Sequence, residues 1–166
     1  MSVYTDATGK GMMGYCIYDV QGNLLSWSIL KRPLLCEALL SPRKNQVTAW
    51  ETIAPLWACM QEAKRLQDQH VILFIDNVAA QFALSKGASK AADINSFCAA
   101  FWILLARFNI DTTIVRVPSK ENPADGPSRG CQPPGCEDAM SFVHPVSVED
   151  FFASGEFLHV AVPNGL

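Results

Sequence analysis

The apolar residues of this chain recur first with the period of strands and later with that of helices, and the switch between the two sets the predicted order of elements. Val3 to Asp6, Gly14 to Val20 and Leu24 to Leu30 are short runs rich in β-branched and aromatic residues. Gln21-Gly22-Asn23 separates the last two, a turn that indicates a hairpin, so three antiparallel strands are predicted. From Ser41-Pro42 the spacing lengthens into a helix reaching about Gln69. His70 to Ile75 is a solid apolar run, which suits a central strand covered on both faces. A short helix from Asn77 to Ser85 follows. Asp93 then opens the clearest helix, with Ile94, Phe97, Cys98, Phe101, Leu104, Leu105 and Phe108 along one stripe. Thr112 to Val117 is the last strand, and Pro118 ends it.

The order βββ-α-β-α-α-β, completed by a loop and a short helical turn, predicts an α/β protein. Consecutive hairpins followed by crossovers build a mixed five-stranded sheet flanked by helices. Residues 1–130 form the predicted domain. Residues 131–166, with Pro133, Pro134, Pro145 and Pro163, read as an acidic extension wrapped on the core or leading elsewhere. At 166 residues, 49% apolar and 17% charged, the chain suits one globular domain with one core. No stretch approaches the roughly 20 apolar residues of a membrane span, and no basic-then-apolar leader opens it, so an intracellular, cytoplasmic or nuclear, location is expected.

Charge is distributed unevenly. The net value is −3, yet residues 1–130 hold all thirteen Lys and Arg against eleven acids, whereas 131–166 hold five acids and no base. If four of those eleven acids face cations, the rest of the first segment is basic enough to tolerate phosphates. Cys16, Cys36, Cys59 and Cys98 lie singly in apolar patterns, as reduced thiols do. Cys131 and Cys136 flank QPPG and with His144 and His159 raise the question of zinc, but their spacing is not that of a standard finger.

Four carboxylates occupy positions where a solvated acid is not expected: Asp6, Glu51, Asp76 and Asp125. Asp6 ends the first strand, where it either caps the Thr8-Gly9 turn or faces a site. Asp76 ends the VILFI run, where acids cap the following helix and where open α/β sheets also place ligands. Glu51 has Val47, Ala54 and Ala58 as helical neighbours and so points inward, and Pro55 should kink its helix. Asp125 after Asn122-Pro123 reads on its own as a helix cap. A buried acid without a cationic partner must be neutralised, and a divalent metal is the usual means. Asp93 by contrast reads as a cap, Asp111 as a turn residue, and Glu62 and Asp68 as a solvated helix face. The sequence holds no evident Ser-His or Cys-His pair and no glycine-rich phosphate loop after a strand.

In order, TDATG, QVTAWETIA, FIDNVAAQFALSKGAS and RVPSKENPADGPSRG resemble the motifs of the ribonuclease H domain of retroelement reverse transcriptases, over about residues 3 to 130. The resemblance implies a ribonuclease H-like fold in which Asp6, Glu51, Asp76 and Asp125 converge as the catalytic and metal-binding groups. It implies two Mg²⁺ ions, with Mn²⁺ as substitute, about 4 Å apart and bridged by Asp6. Asp76 and Glu51 would lie on one side and Asp125 on the other. The implied reaction is hydrolysis of the RNA strand of an RNA/DNA hybrid, leaving a 3′-hydroxyl and a 5′-phosphate.

Reading the 2′-hydroxyl in the minor groove falls by position to Ala7, Thr8, Gly9, Asn45 and Gln46. Asn77, Ser119 and Asn122 flank the acids, and Lys86, Lys90 and Lys120 are candidates for phosphates. The chain departs from cellular enzymes in having no histidine between Pro118 and Ala124 and no basic helical handle between Phe82 and Asp93, which implies weak binding by the isolated domain. Because the first strand starts almost at Met1, a polyprotein with a polymerase domain ahead of this one is expected. Two other readings stand beside this one: an inactive structural or connection domain, and another nuclease or recombinase of the same fold acting on DNA. Trp102 and Ile103, off the main helix stripe, look exposed and suited to a neighbouring domain or to the acidic tail.

Overall fold

The computed structural model describes residues 1–136 of the chain. Strands β1 (Ser2–Ala7), β2 (Met13–Tyr18), β3 (Leu24–Leu30), β4 (His70–Ile75) and β5 (Asp111–Arg116) form one sheet in the order β3-β2-β1-β4-β5. The pairs β1/β2 and β2/β3 are antiparallel, and β1/β4 and β4/β5 are parallel. Parallel neighbours need crossovers. Helices α1 (Leu34–Leu39), α2 (Val47–Gln61) and α3 (Ala63–Leu66) carry the chain from β3 to β4, and α4 (Val78–Lys86) and α5 (Ala92–Arg107) carry it from β4 to β5. A 3₁₀ turn (Ser119–Glu121) and the four-residue α6 (Asp125–Ser128) follow. The mixed five-stranded sheet and flanking helices are those the hydrophobic pattern predicts.

The core lies between one sheet face and α2 with α5. Every residue of α2 from Ala49 to Met60 is buried, so this helix is apolar all round and runs through the interior. Ile53, Leu56 and Trp57 meet Val3, Leu73 and Ile75 of the sheet and Phe97, Phe101 and Leu105 of α5. Each such side chain contributes roughly 1.5–3 kcal/mol by leaving water. The helix continues through Pro55 to Gln61. Among the described residues no helix is long and apolar enough to cross a membrane.

Three local expectations are corrected, all through partners distant in sequence. Helix α2 begins at Val47 and not at Ser41. Residues 41–46 form a loop instead, because Asp93 accepts hydrogen bonds from the Ser41 N–H at 2.9 Å and from Arg43 Nη2 at 2.7 Å, while Gln46 Nε2 donates to the Ser41 carbonyl. Asp93 therefore anchors that loop, and Ala91 holds the N-cap position of α5. Burial works to raise the Asp93 pKa, but Arg43 and the Ser41 amide outweigh it and hold the carboxyl below its usual range. Glu62 is not on a solvated face: it is 5% exposed and accepts from Tyr15 Oη at 2.9 Å, from the Ser26 hydroxyl and from Arg65 Nε at 2.9 Å. Helix α2 ends at Gln61, eight residues before the predicted Gln69, with Glu62 between it and α3, and Asp68 then turns the chain with φ at +59°. The helix Leu34–Leu39 lies in a stretch for which the sequence pattern predicts no element.

Glu62→Ala removes the buried acceptor shared by the Tyr15 and Ser26 hydroxyls and the Arg65 guanidinium. It is expected to destabilise the protein by about 2–3 kcal/mol, read as a fall in Tm, and an unchanged Tm would contradict this network.

Candidate active site

Strand pairing brings the first two acids together. Asp6 stands near the C-terminal end of β1, and Asp76 follows Ile75, the last residue of β4, its parallel neighbour. Asn77 caps α4, its Oδ1 accepting from the Ala80 N–H at 3.0 Å, so the carboxylate of Asp76 is left for the cleft. The third acid comes from the interior: Glu51, in the second turn of α2, faces β1 and accepts the Ala7 N–H on Oε1 at 3.3 Å. Carboxylate oxygens of Asp6, Glu51 and Asp76 all lie within 4.8 Å of one another. At such a separation each like-charged pair repels by roughly 3–4 kcal/mol under partial burial.

The protonation of the site records that repulsion. Burial first, then the charges of Asp6 and Asp76 and a hydrogen bond toward Asp6, push Glu51 up to about 9; only the Ala7 amide opposes them. Asp6 is also raised, by burial first and by Asp76 and Asp125, with the Ser128 hydroxyl partly offsetting the rise. Glu51 Oε2 is buried, and no donor among the described residues faces it. That oxygen needs either a proton or a cation. Three hard carboxylate oxygens around one point fit a divalent cation, and Asp6, Glu51 and Asp76 are the residues that would hold it.

A folded-state pKa above the ordinary value favours the folded protein below the ordinary pKa and loses that contribution as pH rises through the folded one. With Glu51 moving from 4.5 to about 9, the Tm of the metal-free protein is expected to fall as pH rises across that window. Added Mg²⁺ should raise Tm most at the alkaline end, where the carboxylates bind without displacing protons. Thermal melts in chelator and in Mg²⁺ measure both, and a Mg²⁺ effect independent of pH would contradict the coupling.

Asp125, at the start of α6, lines the same cleft but is not one of the three acids whose oxygens cluster within 4.8 Å. Its Oδ1 accepts from Arg129 Nε at 2.9 Å and Nη2 at 2.7 Å. The cleft, of about 420 Å³, is walled by the four acids with Ala7, Thr8, Gly9, Val47, Asn77, Ser119 and Arg129. Ser128 donates its hydroxyl to Asp6 Oδ2 and thereby orients that carboxylate. Ser128 and Arg129 are absent from the sequence-derived site; their signal was the SR pair three and four residues after Asp125, one helical turn on.

The remaining candidates divide by position. Asn45 Oδ1 accepts from the Val47 N–H, and Gln46 is bound to Ser41 and Arg43, so both are tied into the loop before α2. Asn122 is buried, with Nδ2 on the Thr5 carbonyl and Oδ1 on the Ala124 N–H, where it fastens the last loop to β1. Lys86, Lys90 and Lys120 are exposed and outside the cleft wall. The Trp102 indole N–H bonds the Leu84 carbonyl at 2.8 Å, which fastens α5 to α4. Cys16, Cys36, Cys59 and Cys98 are buried thiols outside any disulfide, and burial pushes Cys16 and Cys59 up to about 12. Cys131 and Cys136 are likewise outside any disulfide, and His144 and His159 lie outside the described residues.

With the sheet order and the acid cluster in view, a solved structure supplies the comparison. The crystal structure of RNase H1 from the halophilic archaeon Halobacterium salinarum NRC-1 superposes with a TM-score of 0.56, covering 74% of this chain and 89% of that one. The fold is that of ribonuclease H. Sequence identity over the match is 18%, so the likeness is one of architecture. No family model matches the chain, and no curated protein matches it in sequence. In this ribonuclease H-like domain the three clustered acids sit at the ends of the central β1/β4 pair and on the helix packed over it.

Proposed function

We propose that the chain is a metal-dependent endoribonuclease that cuts the RNA strand of RNA/DNA hybrids during reverse transcription, as a domain of a retroelement polyprotein that also carries a polymerase. The observation that carries this reading is the convergence of Asp6, Glu51 and Asp76 with a buried Glu51 oxygen that no donor among the described residues faces, in a cleft open to solvent on a ribonuclease H fold. The RNase H1 structural neighbour supports the reaction class, and the motifs from TDATG to NPADGPSR support the retroelement setting.

Asp6, Glu51 and Asp76 would hold one divalent cation and Asp125, with Asp6, a second. Such cations supply Lewis-acid stabilisation of the charge that develops at a phosphodiester, and Mg²⁺ is the proposed ion. The chain's own groups prepare the site. Ser128 fixes the rotamer of Asp6, and the Ala7 amide fixes that of Glu51. Arg129 keeps Asp125 neutralised at the cleft mouth and presents a guanidinium where phosphates would pass. Backbone groups of Ala7 to Gly9 with Asn77 and Ser119 line the path on which a 2′-hydroxyl would be read, while Lys86, Lys90 and Lys120 would meet phosphates further out. Residues 1–130 form the proposed catalytic domain, and 131–166 an appended acidic segment.

The test is incubation of the protein with labelled RNA/DNA hybrid, duplex RNA and duplex DNA, in Mg²⁺, Mn²⁺ or chelator. Cleavage of RNA in the hybrid alone, dependent on metal and lost in Asp76→Asn, is the expected result. Equal cleavage by wild type and Asp76→Asn would sink the proposal, and cleavage of duplex DNA would replace it with a DNA nuclease of the same fold.

A further inference from the structure

The turn between β1 and β2 stands at the edge of the acid cleft and is braced on itself. The Thr8 N–H donates to the Met12 carbonyl at 2.8 Å, the Gly11 N–H to the Thr8 carbonyl at 2.9 Å and the Met12 N–H to the Thr8 hydroxyl at 3.2 Å. Thr8 and Gly9 line the cleft, and exposed Lys10 comes next, at the apex. Its neighbours are glycines, so no side chain beside it blocks the approach of a ligand. Two other segments close on this turn. A Cβ on Gly11, whose φ is +82°, would fall 2.8 Å from Arg32 Cγ and 2.9 Å from Trp50 Cε2, so the stem of Arg32 lies across it. A Cβ on Gly9 would lie 3.9 Å from Asn45 Oδ1, in the loop before α2.

Residues 8–12 and 31–46 together hold five cationic side chains, Lys10, Lys31, Arg32, Arg43 and Lys44, against one acid, Glu37, on a chain whose net charge is −3. Arg43 is engaged by Asp93 at 2.7 Å and by Gln46 at 3.1 Å, which fixes the loop that exposes Lys44. Glu37 meets Arg32 Nε at 3.0 Å, and with both side chains about half exposed the pair orients the guanidinium and leaves it at the surface. Lys10, Lys31 and Lys44 form no ion pair among the described residues. Like charges gathered on braced backbone repel one another in the free protein and raise the local concentration of anions. Lys86 and Lys90 lie elsewhere, at and beyond the end of α4, which packs toward β4 and β5.

We infer that Lys10, Arg32 and Lys44 form a phosphate-binding ridge that carries the backbone of the RNA strand away from the cleft. The inference rests on the proposed reading of the cleft as a hybrid-cleaving site and adds to it the path of the substrate. Ala7 to Gly9 are the proposed readers of the 2′-hydroxyl, so the strand that reaches Lys10, the next residue, is the RNA strand. Acids in the cleft repel phosphates wherever no cation covers them, so affinity for the backbone must come from basic side chains outside it. The ridge adjoins the β1–β2 turn and the end of β3, whereas α4 packs toward β4 and β5, so a duplex laid over the central strands meets positive charge on both flanks. Arg32, held by Glu37, presents the planar donor set that suits a phosphate, and the two lysines act as point charges.

Fluorescence anisotropy of a labelled RNA/DNA hybrid with the whole chain, in chelator so that nothing is cut, reads the ridge directly. The slope of log affinity against log salt is expected to shrink by about 0.9 for each of Lys10→Gln, Arg32→Gln and Lys44→Gln, and by about 2 to 3 in the triple variant. Lys64→Gln, the same charge change on α3 at the opposite end of α2 from the cleft, should leave the slope unchanged. The effect is expected to persist when the DNA strand carries uncharged methylphosphonate linkages. Lys10→Gln and Lys44→Gln alter only exposed side chains, so their slopes decide the matter even if Arg32→Gln loosens the turn it crosses. Unchanged slopes in these two variants, or an equal change in Lys64→Gln, overturn the ridge, and an effect that vanishes with the methylphosphonate DNA strand overturns its assignment to RNA. In Mg²⁺ the triple variant is expected to raise KM for the hybrid severalfold and to keep kcat. A wild type that shows the salt effect yet cuts no hybrid would strike the proposed activity and leave the ridge standing.

Discussion

Replacing Asp6 by Asn is expected to reduce hybrid cleavage by about 10³-fold or more, while raising the Tm of the metal-free protein at pH 8. Asn preserves shape and still offers an oxygen to the Ser128 hydroxyl, so the local hydrogen bond survives. What disappears is one negative charge from a trio crowded within 4.8 Å. Losing it relieves Glu51 and Asp76 in the metal-free protein and removes a ligand from the loaded one. The opposite signs are the diagnostic part, because a merely structural acid would lose stability along with activity. Cleavage assays and melts in chelator read the two sides, and retained cleavage would exclude Asp6 from the site.

The second large effect is expected at a residue that contacts no substrate. Gly14 of β2 lies directly beneath α6: a Cβ placed there would fall 2.4 Å from Ser128 N and 2.5 and 2.6 Å from Pro127 atoms. Backbone cannot yield as a flexible side chain can. Gly14→Ala must therefore lift α6 off the sheet, taking Ser128 from Asp6 and Asp125 from the cleft. A loss of about 3 kcal/mol in stability is expected from the overpacking, together with weakened Mg²⁺ binding in calorimetric titration. An unaltered Tm would mean that α6 does not rest on Gly14.

Much of this site is legible along the chain because the signals are local. The alternation in Val3 to Asp6 and the solid run of VILFI predict the two strands whose ends carry Asp6 and Asp76. The helical neighbours of Glu51, Val47, Ala54 and Ala58, predict an inward carboxylate, and it is 3% exposed. Asp93 and Glu62 were misread for the opposite reason. Within its own window Asp93 looks like a helix cap and Glu62 like an acid on a solvated helix face, yet Arg43 lies fifty residues from Asp93 and Tyr15 forty-seven from Glu62. Ser128 and Arg129 stood inside a recognised motif, but their partners are oxygens that only folding brings near.

By itself, then, the sequence determined the order of the strands along the chain and the mixed sheet, and it singled out four candidate acids, since backbone periodicity and side-chain polarity act over a few residues. Only the tertiary structure decided that three of those acids share a point, that Asp125 is paired with Arg129, that Ser128 steadies Asp6 and that Gly14 makes room for α6. The physical reason is the same throughout: desolvation and Coulomb repulsion depend on distances across the sheet, and those are set by strand register rather than by neighbours in the chain.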